Sequence, residues 1–189
     1  MRGAEAGGMC AHPDESRRAA SRGARGRRRR CTIETRAHLP RRFGNSTSME
    51  CTINWLPASG MAFSAETGSG HLLTMDGAPD GGGRNLAPRP METLLAGAGG
   101  CTAYDVVLIL KRGRHAVSGC QVKATAERAT EDPKVFTKLH LHFVVSGRAL
   151  SPVAVERAIA LSHEKYCSAT VMLGKTAEVT TSFEVAEAA

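Results

Sequence analysis

One segment constrains the fold more than any other: residues 90–110 read as a helix that is apolar on nearly every side. Pro90 opens it at a position where the missing N–H costs nothing. Met91, Leu94, Leu95, Ala98, Cys101, Thr102, Leu108 and Ile109 follow the 3.6-residue period, and Val106, Val107 and Leu110 add apolar residues on the other sides. Such a helix is a buried one. It needs cover from sheets on more than one side, or from a second subunit. No run in the chain approaches the roughly 20 apolar residues of a membrane span.

Strands flank this helix in adjacent runs. Cys51, Ile53 and Trp55 alternate with Thr52 and Asn54, which predicts a half-buried strand opening at Met49. Residues 61–65 and 71–75 read as two more short strands around the turn 67–70, and 76–89, with four Gly and two Pro, reads as a loop. After the helix, 117–128 turns Cys120, Val122, Ala124 and Ala126 inward. Its partner 135–145 places Val135, Thr137, Leu139, Leu141, Phe143 and Val145 on one face. Ser151 caps and Pro152 opens a second helix, with Val155, Ile159, Ser162 and Tyr166 as its stripe. A last strand sets Ala177, Val179, Phe183 and Val185 on one side. The order β-β-β-α-β-β-α-β favours an α+β fold with antiparallel sheets around the buried central helix.

Charge divides the chain at the same place as pattern. Twelve of the 25 basic and four of the 18 acidic residues fall in 1–48, leaving thirteen against fourteen beyond. The basic character belongs to the tail, and the domain 49–189 offers no general basic surface for nucleic acid. The tail, with Arg22, Arg25 and Arg27 to Arg30, has little apolar content and no helical period, so it is expected to be disordered. A nucleic-acid arm, an Arg-rich transit peptide and an extension without a role are the three readings, the last with Met49 as the true start. Six cysteines without a CxxC pair, and no apolar secretory core, point to a reducing, cytoplasmic compartment.

Two of those cysteines stand apart. Cys101 closes Gly97-Ala98-Gly99-Gly100, where small residues leave space beside the helix, and Cys167 ends the second apolar helix. A thiol with room beside it can meet an oxidant and a second thiol, so the pair suggests redox chemistry; a buried structural role is the alternative for each. Cys101 lies three turns into its helix, beyond the reach of the N-terminal dipole, and burial would raise its pKa. It needs a cation, and Arg84 and Arg89 are the nearest candidates in sequence. Cys167 at a helix C-terminus is disfavoured as a thiolate, which makes Cys101 the attacker and Cys167 the resolver. Cys51 and Cys120 read as small inward-facing hydrophobes, and Cys10 and Cys31 lie in the tail. His140 and His142 have metal-competent spacing but read as a solvated strand face. Gly81 to Gly83 read as loop. His163 and Glu164 beside Cys167 read as helix surface or as local acid and base groups. No cofactor or metal motif emerges.

Several blocks together resemble the OsmC/Ohr family of osmotically inducible and organic-hydroperoxide-resistance proteins, and within it the YhfA-like branch. They are Ser69-Gly70-His71, Met75-Asp76-Gly77, Pro90-Met91-Glu92-Thr93-Leu94-Leu95, Gly99-Gly100-Cys101-Thr102-Ala103-Tyr104-Asp105-Val106-Val107 and Glu164-Lys165-Tyr166-Cys167-Ser168. The likeness spans 49–187. It implies an intertwined homodimer with the cysteines near the subunit interface. It also implies hydroperoxide reduction through a Cys101–Cys167 disulfide and a dithiol reductant, such as a lipoyl group. The family's peroxidases pair the attacking thiolate with an Arg from the early strands and a Glu directly after the Pro. Here no Arg lies between Glu50 and Gly83, and Met91 follows Pro90, with Glu92 one later. Nine residues before Cys101, Glu92 lies two and a half turns and about 13 Å away along the helix, on its opposite side. A small-ligand-binding protein and a redox-sensing module are the alternatives to the enzyme.

Overall fold

The computed structural model describes residues 48–188. The Arg-rich segment, with the expectation of disorder and the question of Met49 as the start, lies outside the described residues apart from Ser48. The described elements are β1 (Cys51–Leu56), β2 (Ala62–Thr67), β3 (Leu72–Met75), α1 (Pro90–Arg112), β4 (Ala116–Arg128), β5 (Phe136–Arg148), α2 (Pro152–Leu161), α3 (Ser168–Leu173) and β6 (Glu178–Glu187). A single π-helical turn, Ser162–Tyr166, follows α2. The α+β architecture and the element order are those read from the pattern, with one helix more.

Two three-stranded sheets form. The first is a meander, β1-β2-β3, antiparallel throughout. The second, β4-β5-β6, corrects the expectation of purely antiparallel sheets. β4 and β5 pair antiparallel, but β5 and β6 run parallel, Lys138 opposite Glu178 through Gly147 opposite Glu187. The reason is the crossover. A parallel pair needs a connection of a dozen or more residues, usually helical, and α2, the π turn and α3 provide it.

The core lies between this second sheet and the helices. Val106 and Leu110 of α1, Leu139, Leu141, Phe143 and Val145 of β5, and Val155, Ala158 and Ile159 of α2 form one buried cluster. β5 is the middle strand, so its alternation is clean from Leu139 to Val145. Near its start a register shift between Glu127 and Arg128 intervenes. Phe136 is buried there, while Val135 is exposed, which corrects the reading of that end. Phe143 is the largest fully buried side chain, and Phe143→Ala should cost about 3–5 kcal/mol, readable as a fall in the urea midpoint.

The stripe that α1 buries is also corrected. Ala98, Gly99, Thr102, Val106 and Leu110 are buried; the i, i+4 series from Ala98 to Leu110 faces β4, β5 and α2. Leu94 and Tyr104 are exposed. By length and composition α1 is apolar enough to cross a membrane, contrary to the reading that no run comes close. Its buried stripe packs as a core helix.

β1, β2 and β3 pack on one another and make no extensive contact with α1 or with the second sheet. Ile53, Trp55 and Leu72 are accordingly 55%, 56% and 76% exposed. Cys51, expected to face inward, is exposed for the same reason. Cys120 is half-buried against the core, as read.

A buried carboxylate organises the loop between β3 and α1. Asp76 accepts from the N–H groups of Gly77 (2.7 Å), Arg84 (3.0 Å) and Leu86 (3.0 Å). The Leu86 N–H does most to hold the Asp76 carboxyl below its usual range; burial opposes this, and the Arg84 and Gly77 N–H groups and the Arg84 charge add to it. A depressed carboxyl contributes stability above its unfolded pKa, and the contribution is lost as pH falls through the folded value. Asp76→Asn should therefore lower the melting temperature at neutral pH and flatten its fall in acid, below about pH 4. An unchanged acid profile in thermal melts would remove this role. The turn also needs glycine: a Cβ at Gly83 would overlap the Gly77 carbonyl.

Candidate functional site

Cys101 and Asp105 are one turn apart on α1 and so share a face. Cys167 reaches them because of the π turn. On a regular helix Val155, Ile159, Ser162 and Tyr166 would form the inward stripe. The π turn is closed by an i→i+5 bond, Cys167 N–H to Ser162 O at 2.8 Å. The extra residue rotates the register by one, so Cys167 is buried and Tyr166 is exposed. Cys167 (φ −75°, ψ 97°) is extended and stands immediately before α3. This corrects its reading as the C-terminus of a continuous helix, and with it the dipole argument for its role.

The sulfurs of Cys101 and Cys167 and a carboxylate oxygen of Asp105 all lie within 4.8 Å of one another. Cys167 is wholly enclosed; Cys101 and Asp105 are half-buried. Burial pushes the Cys101 thiol up, the Ala169 N–H at the start of α3 acts the other way, and Cys167 and Asp105 push it further up. A buried hydroxyl pair supports the carboxylate. Ser162 Oγ donates to Asp105 Oδ2 (3.2 Å), so its contact with Thr102 Oγ1 (2.9 Å) is accepted from Thr102. Thr102 and Ser162 are fully buried. Asp105 stands in the Gly99–Val107 block but carries no role in the sequence reading; its i+4 spacing from Cys101 is the available signal. Ser162, read only as an apolar-stripe position, binds Asp105 instead.

Neither proposed cation acts on Cys101. The Arg84 guanidinium donates to the Ala58 carbonyl (3.4 Å) and acts on Asp76. The Arg89 N–H donates to Glu92 Oε2 (2.9 Å), so Glu92 caps the start of α1, a role its distance from Cys101 did not reveal. None of the three is among the groups that bear on Cys101. The remaining candidates are also placed. His140 bonds Thr180 and Ser182, and His142 bonds Ser182, across the parallel pair. Gly81 to Gly83 end a tight turn that does not lead directly into a helix. Glu164 is exposed, while His163 is half-buried with Nδ1 enclosed and unpaired. Along the outer side of α1 runs an open groove of about 520 Å³, lined by Gly100, Ala103, Tyr104, Val107, Leu108 and Cys120 among others.

Two thiols, one on α1 and one at the extended residue before α3, brought beside a carboxylate on an α+β scaffold, define a dithiol protein. The chain belongs to the OsmC-like protein family, whose sequence profile matches residues 81–182. It is 48% identical over 140 residues to protein YhfA of Escherichia coli K12, across 74% of this chain and all of that one; that name carries no activity. A hypothetical protein from Aquifex aeolicus VF5 is similar in structure at 26% identity, with a TM-score of 0.65 over 76% of this chain and all of that one. An organic hydroperoxide resistance protein from Elizabethkingia anophelis shares the fold at 17% identity, with a TM-score of 0.56 over 74% of this chain and 98% of that one.

Proposed function

We propose that this protein is a thiol-dependent hydroperoxide reductase that cycles through a Cys101–Cys167 disulfide. The observation that carries the reading is the separation of the two sulfurs, within 4.8 Å. Closure to the roughly 2.05 Å of a disulfide asks for at most about 2.8 Å of movement, next to an extended residue. Cys101 is the more exposed thiol, so peroxide meets it first; this replaces the dipole argument for the order of attack. Cys101 loses its thiol proton to solvent, the thiolate attacks the terminal peroxide oxygen, the O–O bond breaks, and the alkoxide takes a proton from solvent and leaves as an alcohol while Cys101 becomes a sulfenic acid. Cys167 then attacks that sulfur, the S–S bond forms and water leaves. A dithiol reductant, for which a lipoyl-type group fits, returns two electrons. The Ala169 N–H is the donor at hand for the Cys101 thiolate.

The bare face of β1–β3 and the exposed side of α1 support an obligate homodimer, and the thiol chemistry fits a cytoplasmic setting. The groove beside α1 favours a second reading: a binding protein for a small apolar ligand whose thiols never cycle. One assay separates these from a redox sensor. An organic hydroperoxide is added to the reduced protein and thiol loss is followed by mass spectrometry. Rapid loss at Cys101 and Cys167, renewed by a dithiol, is the result expected of the enzyme. Slow loss favours the binder, and rapid loss without turnover the sensor.

A further inference from the structure

We infer that the reduced Cys101–Asp105–Cys167 cluster is a binding site for a thiophilic divalent cation of the Zn²⁺ class. Three observations converge. First, the three ligand atoms lie within 4.8 Å of one another. Tetrahedral Zn²⁺ with Zn–S near 2.3 Å sets its sulfurs about 3.8 Å apart, so at most about 1 Å of contraction closes the site. Second, two ligands come from one helix face at i and i+4, the spacing by which a single helix chelates a metal, and the third comes from a separate segment. Third, the carboxylate is already oriented from behind. Ser162 donates to Asp105, and Thr102 donates to Ser162, the kind of outer support that metal-binding carboxylates carry.

Charge and softness point the same way. Two thiolates and a carboxylate would gather three negative charges, and no basic side chain pairs with Asp105 among the described residues. Thiolates select Zn²⁺ and its soft relatives over Mg²⁺ and Ca²⁺. Cys101 and Asp105 are half-exposed and give entry, while Cys167 closes the inner side. Three protein ligands leave a fourth position to water. On binding, two S–H protons pass to solvent as two S–metal bonds form, and no electron moves. The bound ion occupies the sulfur that peroxide would attack, so metal and peroxide compete for one dithiol.

The test uses the reduced full chain under anaerobic conditions, with Co²⁺ as probe and Zn²⁺ as competitor. One Co²⁺ per chain should bind with a thiolate-to-cobalt charge-transfer band, and Zn²⁺ should displace it. Cys101→Ser and Cys167→Ser should each lose the tight site. Asp105→Asn should weaken it by about tenfold or more, since even outer-shell losses cost about 10–100-fold. Cys51→Ser and Cys120→Ser should bind as wild type. Zn²⁺ should also shield Cys101, the half-exposed thiol of the pair, from alkylation in the wild-type protein, a readout that needs no variant to fold. Absence of the band overturns the proposal. So does a band that survives both active-cysteine variants, an affinity indifferent to Asp105→Asn, or protection at cysteines outside the pair. None of these results bears on peroxide consumption, so the two readings stand or fall separately.

Discussion

Cys101→Ser should abolish peroxide consumption, and Cys167→Ser should not. Cys101 is the thiol that solvent can reach, while Cys167 is 0% exposed. Without Cys167, the Cys101 sulfenic acid still forms but has no nearby thiol to condense with. That variant should consume about one equivalent of peroxide per chain and then trap a sulfenate or over-oxidise. Without Cys101, the enclosed Cys167 has no access and should consume almost none. Quantified peroxide loss, with sulfenate trapping and mass spectrometry, reads both outcomes. Equal loss in the two variants would remove the assignment of attacker and resolver; full activity in Cys101→Ser would reverse it. Cys120→Ser should leave consumption intact and cost about 1 kcal/mol, the scale for a hydroxyl in an apolar site. Cys51→Ser should leave both consumption and single-chain stability unchanged, because Cys51 is exposed.

Light scattering should give twice the chain mass at micromolar concentration. One face of the first sheet carries Ile53, Trp55 and Leu73, across which no other described element makes extensive contact, and α1 presents Tyr104 at 69% exposure. Apolar patches of this extent mark interaction surfaces. An obligate interface covering them should bury more than about 2,000 Å² in total. Unfolding midpoints should rise with protein concentration, since the dimer is part of the folded state. Trp55→Glu, which places a charge on that face, should shift the population to monomer or prevent folding. A stable, folded wild-type monomer would sink this prediction outright.

Both predictions depend on features that were legible to different degrees. Periodicity alone placed the strands, the long apolar helix and the Cys101 block, because burial on one face imposes a period of 2 or 3.6 on a chain wherever it is half-covered. It was weakest for α1, whose near-uniform apolarity carries no phase. Val106 and Leu110, rather than Leu108 and Ile109, proved to belong to the buried stripe, and only packing against β5 and α2 selects among sides that read alike. The bareness of β1 has a related cause. Its alternation records which face is to be covered, but not whether its own chain covers it.

The thiol site divides in the same way. Local sequence was enough to single out Cys101, with small residues before it, and Cys167, and to show that Glu92 lies too far along α1 to serve Cys101. Three things were set only by tertiary structure: the place of Cys167, the presence of Asp105 and the absence of Arg84. A π turn shifts the helical phase by one residue and hides this from any 3.6-residue reading. The Asp105 carboxylate matters through Ser162, 57 residues away in sequence. Arg84, close to α1 in sequence, is turned to Asp76 and the Ala58 carbonyl by the loop it belongs to. Sequence determined which residue types sit on which element, because that is a matter of local period and propensity. Which of them meet was decided by long-range packing, because contact across 57 or 66 positions depends on how the elements stack, and no local pattern encodes it.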